Sequence, residues 1–122
     1  MRLPKLRELC LTILIIGVHF CAEAGFKDGV SLEEKARAFD RINARNGDSV
    51  QDPMDASYYI GYVLGVHDAL SGTGSFCPPE NFTINEATAI VRRYLRQNPG
   101  QLNKTADTLV VKALAQAFPC NR

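Results

Sequence analysis

Four stretches of this chain carry apolar residues at the spacing of an α-helix, and strand-like alternation is nearly absent. Capping residues open them, and glycine or proline marks most of their ends. Such a pattern can bury its apolar stripes only by packing helix on helix. The first stretch runs from about Ser31 to Arg45. Ser31 and Glu34 have the spacing of a capping box, Leu32, Ala36, Phe39 and Ile42 share one face, and Gly47 marks the end. The second runs from about Pro53 to Leu70 behind Asp52 as N-cap. The third starts at Thr83, paired with Glu86 in a second capping box, and buries Ile84, Ala87, Ile90, Val91, Tyr94 and Leu95. The fourth starts with Asn98 as N-cap and Pro99 at the first position. It repeats Leu102, Ala106, Leu109, Val110, Ala113, Leu114 and Ala117 on one face until Pro119 stops it. The LVV run at 109–111 is β-branched but sits inside this helical period. The expectation is an all-α fold, a single small bundle of about four main helices.

The N-terminus has the layout of a signal peptide. Arg2, Lys5 and Arg7 precede an apolar run from Leu9 to Phe20, and Ala22-Glu23-Ala24 offers a small-x-small cleavage site. A run of this length falls short of the ~20 apolar residues that a stable membrane span needs. The reading is a cleaved leader over residues 1–24 and one domain over 25–122. Lipidation at Cys21 stays open, although Val18-His19-Phe20 lacks the small residues that usually precede a lipidated cysteine. Without the leader, the 14 Lys+Arg and 13 Asp+Glu of the whole chain become equal in number and the net charge is zero. No basic excess remains for a phosphate backbone, so nucleic acid is not an expected partner. No later segment is long and apolar enough to span a membrane.

Removing the leader also simplifies the cysteines. Cys10 and Cys21 leave with it, and Cys77 and Cys120 remain. In an exported chain such a pair is expected to be a disulfide. It would close a loop of ~44 residues, worth roughly 4 kcal/mol in the chain-entropy treatment. It would fasten the end of the fourth helix to the irregular stretch SGTGSFCPPENF, where glycines and prolines rule out regular structure. A loop clipped in this way is a plausible presenting surface, with Ser71, Thr73, Ser75, Glu80 and Asn81 as candidate contact residues.

The second helix poses a packing question. It is apolar around most of its circumference from Tyr58 to Val66, as a central helix would be. Gly61 and Gly65 lie four apart, and each costs roughly 1 kcal/mol against alanine in a helix. Close approach of another helix backbone would offset that cost, with Tyr58 and Tyr62 along the same stripe. Core packing and a partner or dimer contact are both open for this face. Arg92, Arg93 and Arg96 gather near the end of the third helix. They favour its dipole there, or form a contact patch for an acidic partner.

A catalytic constellation is not visible. His67 is the sole histidine past the leader, and no second one exists to share a metal with it. The carboxylate pairs Glu33-Glu34 and Asp52-Asp55 have simple roles as charges at helix N-termini. A C-x-x-C-H motif and a phosphate-binding glycine loop are both absent. The residues point to binding rather than catalysis, with no cofactor and no metal.

Four segments in order, YIGYVLGVHDAL, FCPPE, AIVRRYLRQNPGQL and LVVKALAQAFPC, carry a resemblance. Together they resemble the Rap/Tai family of type VI secretion immunity proteins, over about Tyr59 to Cys120. The G-Y-x-x-G-x-x-D-A segment and the closing F-P-C are the most specific parts. The resemblance implies a small helical periplasmic protein, commonly self-associating. It would bind a peptidoglycan-cleaving amidase toxin stoichiometrically and block its cleft. Many members of that family carry a second cysteine pair. Here Tyr59 stands at one of its places and no cysteine lies between Cys21 and Cys77, so both partners are missing together. That supports the pairing of Cys77 with Cys120. Contact residues do not transfer, because such interfaces vary with their toxins. Two other classes remain: a small periplasmic holdase-type chaperone, or an orphan binding module on the same scaffold.

Overall fold

The computed structural model describes residues 28–47 and 49–121. The expected leader and Cys21 lie outside the described residues. The elements are α1 (Gly29–Asn43), α2 (Gln51–Leu70), α3 (Ile84–Gln97), a 3-10 turn (Pro99–Gln101) and α4 (Ala106–Ala117). The all-α bundle of four helices stands, with the sulfurs of Cys77 and Cys120 bonded and their Cα atoms 5.0 Å apart.

Helix α1 starts upstream of the expected point. Its cap is Asp28, whose Oδ1 accepts from the Ser31 amide at 2.8 Å. Ser31 is therefore inside the first turn, and the Ser31–Glu34 box is not the cap. The cause is tertiary: Asp28 bridges to Thr105, and the Gly29 and Val30 amides donate to Lys104 and Leu102 carbonyls at 2.9 and 3.1 Å. These bonds satisfy amides that a helix start leaves open. Glycine is required at 29, since a Cβ there would fall 2.8 Å from the Leu102 backbone. The other end also differs. The helix stops at Asn43, and the left-handed residue is Arg45 (φ 56°) rather than Gly47.

Helix α2 begins at Gln51, so Asp52 is not its N-cap. Asp52 is instead nearly inaccessible, at 4% exposure, and accepts two hydrogen bonds from Arg41 at 2.6 and 2.9 Å. The arginine holds the Asp52 carboxyl below its ordinary value, chiefly through these hydrogen bonds, against the opposing effect of desolvation. Lys35 pairs with Asp55 at 3.1 Å one turn on, so α1 and α2 are joined by two charged contacts.

The glycine reading of α2 is corrected. Ala56, Tyr59 and Val63 are its buried apolar residues and share one face. Gly61 and Gly65 follow Tyr59 and Val63 by two residues, about 200 degrees around the helix. They are exposed, and a Cβ at either would meet nothing within 4 Å among the described residues. No helix backbone of the described chain approaches them. Tyr58 and Tyr62 stack with ring centroids 6.0 Å apart. Tyr58 is on the exposed side beneath the Lys35 ammonium, whereas Tyr62 packs against the core.

Helix α3 opens as expected. The Thr83 and Glu86 side chains cap each other's backbone amides. The fourth helix does not start at Asn98. Asn98 closes α3 instead, its side-chain amide donating to the Tyr94 carbonyl at 2.8 Å. The chain then makes the 3-10 turn and restarts as α4 behind Thr105. Continuing the helix through 102–105 would withdraw the carbonyls that receive the start of α1. Leu32, Tyr59, Val63, Val91, Leu95, Leu109, Val110 and Leu114 form the centre of the core.

Candidate functional site

The loop from Ser71 to Thr83 is built from the end of α2. Ser71 leaves the helix, and Gly72 (φ 76°) and Gly74 (φ 83°) take left-handed conformations open to glycine. Between them Thr73 Oγ1 donates to the Leu70 carbonyl at 2.7 Å and lies 2.9 Å from the Ser75 hydroxyl. The two hydroxyls therefore stiffen the turn. Phe76 follows and is buried to 1% exposure, a core anchor that the glycine- and proline-rich composition hid. Next to it the Cys77 amide donates to the Phe118 carbonyl at 2.9 Å, alongside the disulfide.

An aromatic layer backs the loop. The His67 ring lies 5.6 Å from Phe76 and 5.7 Å from Phe82, and Phe82 meets Phe118 edge-on at 4.8 Å. His67 Nδ1 is 3.0 Å from an Asp68 carboxylate oxygen. Among the described residues no three His, Cys, Asp or Glu side chains converge on a metal site. What the surface offers is concave shape. An open hollow of about 400 Å³ is lined by His67, Phe76, Pro79, Glu80 and Phe82 among others. Ser71, Thr73, Glu80 and Asn81 are exposed and Ser75 is half-buried, so the five expected contact residues share one loop.

The second candidate surface is the outer side of α3. Arg92 reaches Asp40 of α1 at 3.0 Å, and Arg96 takes the other oxygen of the same carboxylate. The Arg92 guanidinium also covers the Phe39 ring at 5.3 Å. Two of the three arginines thus tie α3 to α1, beyond any interaction with the helix dipole. Arg93 points elsewhere, towards a cleft of about 170 Å³ between α3 and α4.

Over residues 28–120 the sequence matches the family described as Rap1a immunity proteins. The match spans all four helices, the loop and both cysteines of the disulfide. The chain belongs to this family. It agrees with the Rap/Tai resemblance carried by the four segments quoted above. Membership makes the chain an immunity-type protein directed at a secreted toxin. A search of curated proteins finds no significant match. Tyr59, where the resemblance implied an absent cysteine, is a core residue of α2. It is buried, and its hydroxyl donates to the Thr88 carbonyl of α3 at 2.6 Å. Burial raises the pKa of that hydroxyl above the usual phenol range, so it stays a donor.

Proposed function

We propose that this protein is exported, loses residues 1–24 by cleavage after Ala24, and acts in the periplasm. There it binds a peptidoglycan-cleaving amidase toxin of a type VI secretion system and blocks the toxin's active-site cleft. It does so as a stoichiometric inhibitor without turnover, holding no metal or cofactor. The family match over residues 28–120 is the observation that carries this reading. The stiffened Ser71–Thr83 loop supports it, because a contact surface already held in shape loses little entropy on binding. Ser71, Thr73, Ser75, Glu80 and Asn81 supply the polar contacts in this proposal. The exposed side of α2 at Tyr58, Gly61 and Gly65 is available for self-association.

The test is association of the purified domain 25–122 with an amidase encoded by a neighbouring gene, sought for that purpose. A complex at nanomolar to micromolar concentration that removes amidase activity is the expected result. A pair that stays separate at micromolar concentration contradicts the reading for that toxin. Suppressed aggregation of unrelated clients at acid pH, with no such complex, would favour the holdase reading instead.

A further inference from the structure

Asp40 is a single carboxylate shared by two guanidinium groups, Arg92 and Arg96. Arg93, between them in sequence, has no carboxylate partner among the described residues and is exposed. The cluster is therefore locally positive, three arginines against one carboxylate, on a domain whose net charge is zero. Arg93 stands on the edge shared by two depressions. On one side is an open hollow bounded by Arg92, Arg96 and Gln97. On the other is the cleft between α3 and α4. Its walls include Ile90, Tyr94 and Ala113, with the amides of Gln97 and Gln116 at its rim. Aliphatic and aromatic walls below a cation and two amides match a side chain with an apolar stem and a carboxylate head. Arginine is well suited to hold such a head through paired hydrogen bonds.

We infer that the α3–α4 cleft is a docking site for an acidic side chain, glutamate or aspartate, on a surface loop of the partner toxin, with Arg93 as its charge partner. The inference rests on the immunity reading and names a part of its interface. The cleft and the Cys77 loop are linked through the end of α4. The cleft's α4 wall ends at Ala117, and the next residue, Phe118, accepts the Cys77 amide. Arg92 and Arg96 raise the local potential without leaving Asp40, so they act on encounter more than on the final contact.

The experiment measures association of the amidase used in the preceding test with the unmodified domain, Arg93→Ala, Arg93→Glu and Arg37→Glu. Arg37 lies on α1 and pairs with Glu33, so its reversal makes the same change in net charge away from the cleft. Arg93→Ala is expected to weaken binding roughly tenfold or more and to flatten its salt dependence. Arg93→Glu is expected to weaken it by about a hundredfold or more, since a like charge then faces the partner's carboxylate. Arg37→Glu should stay within about twofold. Circular dichroism of each variant checks that the helices persist. Equal binding by Arg93→Glu and the unmodified domain overturns the inference and leaves the immunity reading standing. Equal loss in Arg37→Glu and Arg93→Glu also overturns it, as a general charge effect. Failure of the unmodified domain to bind overturns the amidase reading and this inference with it.

Discussion

The Tyr59 hydroxyl donates to the Thr88 carbonyl across 2.6 Å in the buried seam between α2 and α3. The same ring meets Phe39 of α1 at 5.8 Å, so one side chain of α2 contacts two other helices. Tyr59→Phe keeps the ring and removes the donor. It should cost about 1 kcal/mol, a drop of roughly 5 °C in melting temperature for a domain of this size. Tyr59→Ala removes the ring and should cost about 3–5 kcal/mol. Thermal unfolding of both variants checks the order, and an unchanged Tyr59→Ala would show the seam is not a centre of stability.

Replacing Cys77 and Cys120 together by serine should lower stability by about 2–4 kcal/mol. The freed loop should also bind its partner more weakly, because it must then be ordered on binding. Denaturant unfolding measures the first effect and calorimetric titration the second. Unchanged affinity in a folded double variant would assign the bond to stability alone.

Alanine at Gly61 or Gly65 should stabilise the isolated domain by about 0.5–1 kcal/mol each. Both positions are in a helix interior with open space around a new Cβ. A loss of stability would reveal a close backbone contact there. A gain in stability with weaker self-association would assign the face to a second copy.

Acid should destabilise the fold in a defined window. Asp52, Asp55, Glu86 and Asp107 all have lowered carboxyl pKa values. The leading causes are hydrogen bonds from Arg41, Gln51, the Thr83 backbone and Thr105 respectively. A lowered folded-state value means the contribution is complete above the unfolded-state value, near pH 4, and is lost as pH falls through the folded values. Stability should therefore be flat from neutral pH to about pH 5 and fall below about pH 4. Asp52→Asn should lower stability at neutral pH and reduce the acid-dependent fall. A pH series of unfolding curves for both proteins checks the sign.

Much of this fold was legible because its signals are local. Thr83 and Glu86 cap α3 as their spacing says, and the fourth stripe is buried from Ala106 to Leu114, while Leu102 precedes α4 and Ala117 at its end is exposed. The misses are tertiary. Asp52 has the chemistry of a cap and of an ion-pair partner, and only the approach of Arg41 decides between them. Asn98 and Pro99 spell a helix start, yet the carbonyls at 102 and 104 are needed by α1. Gly61 and Gly65 suggested a packed face, and comparison with Ala56, Tyr59 and Val63 at helical spacing would have placed them opposite it. Of the site, the loop and its disulfide were visible in composition and cysteine count. The Phe76 anchor and the cleft beside Arg93 were not, since each depends on which helices become neighbours.

The most direct measurement is a titration of the partner amidase with this domain while peptidoglycan cleavage is followed. The account predicts a linear loss of activity that reaches zero at a fixed molar ratio, without consumption of the domain. Undiminished cleavage at a large molar excess would contradict it.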